Sequence, residues 1–311
     1  MFMRIFRYVV ILFLFVAPAA SLAAVGPGDL PDASKWYIHA DFEEMRSSEA
    51  GQHLYGWLQE EVFDDIREDV GVDLDKEADT LTAFSVGDGQ LVVVIDGRIS
   101  QQMQDKVLAI GTIAGSLDKL GSGGKTFYHV NDDNIEVDGD NTNIEIDMES
   151  FDDVAFFSFA VKNKLLVTST RKDMESLIAN KGRVEASTSS KGALFVLSAE
   201  RNLMQAGARA GDLGDDIGWD SNILRNTEQA ALLIAEKAGK IAIEAQLVTA
   251  EKEMADSLAS IVRGLISLQI FNDDMDPEVA EFLQNMKVEV EGNTLKVTVA
   301  LDPEVMVAAI E

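Results

Sequence analysis

The chain has 311 residues, of which 47% are hydrophobic, and a net charge of −28 from 26 basic and 54 acidic residues. This charge argues against nucleic acid and anionic lipid as partners, because both are bound through Lys and Arg. The absence of cysteine excludes disulfides, thiol nucleophiles, thiolate metal sites and a lipidated Cys anchor.

The first segment has the three-part order of a secretory signal. Arg4 and Arg7 precede an apolar run from Tyr8 to Val16, and Pro18 and small residues follow. The run is shorter than the roughly 20 residues of a membrane-spanning helix, although an uncleaved anchor is the alternative. We therefore expect residues 1–23 to be a signal peptide, cleaved after Ala23 or Ala24, which releases a periplasmic or secreted protein without a membrane span.

Cleavage would leave 24 basic and 54 acidic residues, a net charge of −30. Such a surface is open to cations and basic partners. The alternative is that acidity serves only to keep an envelope protein soluble.

An irregular leader at 24–34 precedes the first predicted α+β unit, residues 35–180, which has the order strand, helix, hairpin, helix, hairpin, short helix. The predicted ranges are a strand at Trp36–Phe42, a helix at Glu43–Val70, hairpin strands at Leu81–Val86 and Leu91–Ile95, a helix from Ser100 to about Leu120, hairpin strands at Ala155–Val161 and Leu165–Thr170, and a helix at Arg171–Ala179.

After a linker at 181–191, residues 192–311 repeat this order. Asn163–Thr168 recurs as Asn293–Thr298, and Gly89 with the strand after it corresponds to Gly239 with Ile241–Ala245. The repetition predicts an α+β fold of two homologous halves, with mostly antiparallel sheets and helices on one face. Chance similarity of hairpin and helix units is the alternative, and the pattern leaves open whether the halves share one sheet.

The helices carry apolar residues at helical spacing, which predicts faces that pack against the core. These residues are Met103, Val107 and Ile110 in the first half and Ile261, Leu265 and Leu268 in the second. A groove for a partner is the alternative use of such a face.

The first half is about 20 residues longer than the second because of an acidic segment at about 131–153, which we interpret as an extra hairpin. Its Asp132, Asp133, Asp138 and Asp140, with Asn141, could present oxygen ligands to Ca²⁺. The segment does not follow the EF-hand pattern, since Thr142 and Asn143 follow where that pattern requires an acidic residue or Asn and then Gly. A solvated turn without an ion is the alternative.

No catalytic or cofactor-binding residues emerge from the sequence. The three histidines, His39, His53 and His129, have no metal-binding spacing, and neither H-E-x-x-H nor G-x-S-x-G is present. The Gly-rich stretch before Thr126 is not a phosphate loop, because Lys119 stands where that motif needs Gly. Carboxylate pairs are abundant in so acidic a chain and single out no site.

The predicted start of the mature chain carries a resemblance. Leu30-Pro-Asp-Ala33, the strand at Trp36–Asp41 and a helix with Met45 and Ser47-Ser48 resemble a loose group of exported bacterial proteins of unassigned function. The resemblance implies export and a duplicated α+β architecture, without site residues.

These features favour a non-catalytic, exported, acidic binding or interaction protein, whose partner is a protein, peptide or cation of the envelope. The first alternative is a Ca²⁺-binding protein that uses the acidic insertion. The second is a carboxylate-based hydrolase, so the sequence leaves enzymatic activity open.

Overall fold

A computed structural model describes residues 35–87, 90–114, 116–131, 154–183, 193–200, 227–270 and 283–310. The predicted signal peptide, the leader, nearly all of the acidic insertion and most of the linker lie outside these ranges. Asp132, Asp133, Asp138 and Asp140 lie outside them as well.

The described residues form an α+β fold, as the sequence predicts. The strands are β1 (Trp36–Asp41), β2 (Ala78–Gly87), β3 (Gln90–Gly97), β4 (Ser116–Ser122), β5 (Lys125–Asn131), β6 (Val154–Ser158), β7 (Lys164–Thr168), β8 (Ala193–Glu200), β9 (Thr227–Lys237), β10 (Lys240–Thr249), β11 (Lys287–Glu291) and β12 (Thr294–Leu301). The helices are α1 (Phe42–Ser47), α2 (Glu49–Leu58), α3 (Asp64–Val70), α4 (Leu74–Glu77), α5 (Gln101–Ala114), α6 (Arg171–Ala179), α7 (Lys252–Ile270) and α8 (Pro303–Ile310).

All twelve described strands belong to one antiparallel sheet, in the order β11-β12-β10-β9-β8-β1-β2-β3-β7-β6-β5-β4. The two halves of the chain meet at the centre, where β1 pairs with β8. From that pair outwards, the first half runs β1-β2-β3-β7-β6 and the second runs β8-β9-β10-β12-β11. The halves therefore share one sheet and follow the same strand order.

One backbone hydrogen bond also recurs at corresponding positions. The carbonyl of Asn163 accepts from the N–H of Gly97 at 3.0 Å, and the carbonyl of Asn293 accepts from the N–H of Thr249 at 2.9 Å. In each half, this bond joins the start of the last hairpin's return strand to the end of the strand beside it. Both observations are consistent with an internal duplication, whose common origin stays a prediction.

The sheet has a core on both faces. Most described helices pack on one face, where Leu54, Phe63, Leu194, Ile243 and Met306 share a cluster. Helix α6 packs on the other face, where its Met174, Leu177 and Ile178 join Tyr37 and Leu166. The expectation of helices on one face therefore holds for all described helices except α6.

The helical region after β1 is broken where the sequence pattern predicts one continuous helix. Asp41 caps α1 by accepting from the N–H of Glu44 at 2.8 Å. Ser48 then adopts an extended backbone and caps α2 by accepting from the N–H of Gly51 at 3.0 Å. A π-helical turn at Gln59–Phe63 joins α2 to α3. The side-chain caps explain the break, because each satisfies a backbone donor at a new helix start.

The predicted helix from Ser100 to about Leu120 was too long. Helix α5 ends at Ala114, and Leu120 lies in β4, which pairs along its whole length with β5. The Gly-rich stretch is the turn of this hairpin, since Gly123 and Gly124 have φ of 56° and 78°, values that favour glycine. This hairpin has no counterpart among the described strands of the second half.

Candidate functional site

An open groove of about 530 Å³ runs between α7 and β11, at one end of the sheet. It is largely open to solvent, whereas clefts for small ligands enclose most of the ligand surface. The lining residues are Arg263, Ile266 and Ser267 from α7 and Met286, Lys287, Val288 and Glu289 from β11 and the residue before it.

The sequence of α7 explains how its residues reach the groove. Ala255, Leu258 and Ala259 are buried, and the latter two pack against Leu295 of the sheet. Arg263 and Ser267 follow Ala259 at spacings of four residues, so they lie on one flank of the same helix. That flank faces β11, where both residues line the groove.

Strand β11 presents alternating residues to its two sides. Val288 and Val290 are half-buried and pack with the apolar cluster under α7, whereas Lys287, Glu289 and Glu291 are exposed. β11 pairs with β12 on one side, and no described strand pairs with its other side. β11 is thus the edge strand at this end of the described sheet, and it forms one wall of the groove, while α7 forms the other.

The turn between β11 and β12 determines which backbone groups of β11 bond to β12 and which point to the free side. Glu291 and Thr294 flank a two-residue turn, so they form a hydrogen-bonded pair, and every second residue along β11 repeats that arrangement. Val288 and Val290 therefore direct their backbone N–H and C=O groups away from β12. Arg263 donates from Nη2 to the outward carbonyl of Val288 at 2.6 Å. A single exposed side chain thus occupies one acceptor of the open edge.

The predicted core face of α7 was wrong. Ile261 is 46% exposed and Leu268 is 70% exposed, whereas Met103 of α5 is buried as expected. Helix α7 contacts the sheet through the face that carries Leu258 and Ala259. Of the predicted core residues of this helix, only Leu265 is half-buried.

A buried ion pair lies on the two strands next to β11. The side chain of Glu244 on β10 is 1% exposed, and Oε1 lies 2.9 Å from Nζ of Lys296 on β12. Gln246 donates to the same oxygen at 2.7 Å. The other oxygen, Oε2, is buried and has no hydrogen-bond partner. A carboxylate held in this way needs its cation, because an uncompensated buried charge is costly.

A second polar cluster ties α1, α2 and α4 together. Arg46 donates to the Tyr55 hydroxyl at 3.1 Å, to the Ala78 carbonyl at 3.0 Å and to Asp79 Oδ1 at 2.7 Å. The Tyr55 hydroxyl in turn donates to Asp75 Oδ1. Burial, together with the hydrogen bond to Asp75, raises the pKa of Tyr55 to about 12, although Arg46 opposes the shift. Arg46, Tyr55 and Asp75 are thus bonded to one another or to neighbouring backbone within the cluster.

The three histidines are far apart in the fold and share no site. His39 on β1 lies 2.9 Å from Thr82 Oγ1, and burial lowers its pKa while nearby Asp41 opposes the shift. His53 is exposed on α2. His129 on β5 stacks on Phe156 with ring centroids 4.6 Å apart, and its Nδ1 lies 3.8 Å from Asp118.

The described residues contain no group of three or more His, Asp or Glu placed to share a metal ion. The predicted calcium ligands lie outside these residues, so the calcium hypothesis stays a prediction. None of the described helices is both long and apolar enough to cross a membrane. In the groove itself Glu289 is the only carboxylate among the lining residues, so the groove does not bring two acids together.

Neither Arg263 nor the edge at β11 was predicted from the sequence. One signal was available for the strand, because Lys287-Val-Glu-Val-Glu291 alternates charged and apolar residues, which is typical of a strand with one buried face. Nothing local links Arg263 to this segment, since 25 residues separate it from Val288.

Comparison with known proteins gives no family. No family model matches the chain, and no curated protein matches it. Three crystal forms of TP0453, a bacterial protein from Treponema, are similar in structure. Form III has a TM-score of 0.44 at 11% identity, over 92% of this chain and 99% of that one. Forms I and IV have TM-scores of 0.41 and 0.44 at 10% and 12% identity, each over 92% of this chain and 98% of the other. At this similarity no function is transferred from TP0453.

Proposed function

We propose that this chain is a non-catalytic, exported binding protein that holds an extended polypeptide segment along β11, in the groove under α7. The first residues of the sequence support export, because they have the order of a cleavable secretory signal. The duplicated order of elements, with its weak sequence repeat, supports a scaffold of two related halves.

The observation that carries the proposal is the open edge of β11 beside a groove. An extended peptide adds to such an edge through backbone hydrogen bonds, and alternate side chains then enter the neighbouring groove. Ile266, Met286 and Val288 supply apolar surface for those side chains. Arg263 supplies a positive charge in the groove, and Lys287 and Glu289 supply charges of both signs on the opposite face of β11.

A peptide selection tests this proposal on the mature protein. Random peptides displayed on phage would be selected on the wild-type protein, and the selected sequences would be measured as free labelled peptides by fluorescence polarisation. Val288→Pro removes the outward N–H of β11 and should weaken binding at least about tenfold, since strand addition depends on that bond.

Lys119→Pro is the matched control for this substitution. Lys119 is exposed on β4, the strand at the opposite end of the described sheet, and its place in the hairpin register likewise turns its N–H outward. Its replacement should leave peptide binding unchanged. Failure to select any peptide, or equal binding by the Val288→Pro variant, would show that β11 is not the binding edge.

The calcium hypothesis is the second candidate, and the acidic composition of residues 131–153 is the observation that favours it. Calorimetric titration with Ca²⁺ should then show binding tighter than millimolar that is lost in the Asp138→Asn and Asp140→Asn double variant. Absence of heat would remove this candidate.

A further inference from the structure

The two sides of β11 carry complementary chemistry. All three of Lys287, Val288 and Glu289 border the groove, but their side chains alternate along β11. Val288 packs with the cluster under α7, so the side chains of Lys287 and Glu289 point to the opposite face. Met286 lines the groove on the same side as Val288. The backbone N–H and C=O groups of Val288 and Val290 point away from β12. A partner strand must therefore place opposite these two valines residues whose own N–H and C=O groups point towards β11.

A second copy of β11 meets this requirement. If two antiparallel copies pair about Val288, Val288 lies opposite Val288 of the other copy, and Met286 lies opposite Val290. In the same register, Lys287 of each copy lies opposite Glu289 of the other. The pairing creates two equivalent opposite-charge pairs and no like-charge pair at these positions, which is the self-complementarity that a two-fold interface requires.

Arg263 sits at the centre of this pairing. Its Nη2 donates to the Val288 carbonyl, the acceptor that the N–H of Val288 in the second copy would use. The guanidinium is exposed and belongs to a long side chain, so it is able to move aside. It therefore competes with the second strand for one backbone acceptor.

We propose that β11 is a self-recognition edge, through which two copies of this chain join their sheets about Val288, with Arg263 as the competing intrachain donor. This rests on the proposed function, because it names the partner strand for the same edge. The net charge of each copy opposes association over long distances, so the dimer should be stronger at physiological ionic strength, where the screening length is about 8 Å, than at about 0.01 M, where it is about 30 Å.

Charge reversal tests the register. Lys287→Glu places Glu opposite Glu, and Glu289→Lys places Lys opposite Lys, so each single variant should weaken the dimer at least about tenfold, as measured by analytical ultracentrifugation. An equimolar mixture of the two variants restores opposite charges at every pair. The mixture should therefore form a heterodimer as stable as the wild-type homodimer.

Lys119→Glu is the control, since it makes the same charge change on β4 and should leave association unchanged. Arg263→Ala should tighten the dimer several-fold, because the Val288 carbonyl loses its competing donor. Both substitutions are at exposed positions, and circular dichroism would verify that each variant is folded.

The outcomes separate this inference from the proposed function. A wild-type protein that stays monomeric at all concentrations, or a dimer that is insensitive to both reversals, overturns the inference even if selected peptides bind at β11. A mixture that stays as weak as the single variants also overturns it. Conversely, a charge-sensitive dimer with no peptide binding supports self-recognition and removes the broader peptide-binding function.

Discussion

Tyr55 is a single side chain that contacts three neighbouring segments of the chain. Its ring packs edge-on against Phe63 with centroids 5.8 Å apart, while its hydroxyl bonds to Arg46 and Asp75. The residue is 6% exposed, so these bonds form where water is largely excluded. The ring therefore packs α2 against the π-helical turn, and the hydroxyl joins α2 to α1 and α4.

Replacement of Tyr55 by Phe keeps the ring and removes the hydroxyl. We expect the free energy of unfolding to fall by about 1–2 kcal/mol, because Arg46 and Asp75 each lose a hydrogen-bond partner. Urea unfolding followed by circular dichroism would measure the change. Tyr128→Phe is the control, since the Tyr128 hydroxyl makes no hydrogen bond with the described residues. Equal losses in the two variants would contradict the role given to the network.

His39 makes stability depend on pH near neutrality. Burial lowers its pKa below the unfolded value of 6.5, so the unfolded chain binds this proton more readily than the folded one. The contribution of His39 is complete above pH 6.5 and is lost as the pH falls from there through the folded pKa.

When the pH is lowered from about 7.5 to about 5.5, the free energy of unfolding of the His39→Asn variant should therefore fall less than that of the wild type. Urea unfolding at the two pH values would give this difference. His53→Asn, at an exposed position on α2, is the matched control and should lose as much as the wild type. A His39→Asn variant with the wild-type pH dependence would show that His39 does not carry the effect.

At the scale of elements, the pair Glu244–Lys296 links β10 to β12. Lys296 is 17% exposed along its side chain, whereas Glu244 is nearly inaccessible. The lysine can therefore reach water without its partner, but the carboxylate cannot.

This asymmetry predicts a large cost for removal of the lysine alone. Lys296→Met should lower the free energy of unfolding by about 3 kcal/mol, because it leaves a buried carboxylate without its cation. Glu244→Leu in the same background should recover part of the loss. Chemical unfolding at neutral pH measures both changes.

Lys237→Met serves as the control for this pair, since it removes an exposed lysine from β9, the other neighbour of β10, and should cost less than about 0.5 kcal/mol. The ion pair would have no structural role if Lys296→Met proved as mild as this control.

At the scale of the whole molecule, the central pair β1–β8 joins the two halves into one sheet. Each half continues outwards in the same strand order, so the last hairpin of the second half ends the described sheet with β11. In the first half, β5 and β4 extend the sheet beyond β6, the strand that corresponds to β11. Among the described strands, the same strand is thus paired on both sides in the first half and on one side only in the second.

Several local elements followed from the sequence alone. The hairpin at Gly239 forms as expected, with φ of 54° at Ala238 and 76° at Gly239, and α6 has the predicted bounds of Arg171–Ala179. The strand at β4 was missed, because its polar sequence is helix-compatible and becomes a strand only by pairing with β5.

The sequence by itself determined the α+β class and the order of most elements, together with the low content of catalytic motifs and the strong negative charge. These properties depend on turn residues, helix caps and residue spacing, which act over a few positions of the chain. The tertiary structure alone decided that the halves share a sheet, that α6 packs on the opposite face and that Glu244 is buried beside Lys296. It also placed Arg263 on the Val288 carbonyl, because contacts between residues far apart in the chain are set by how the strands pair and the helices pack.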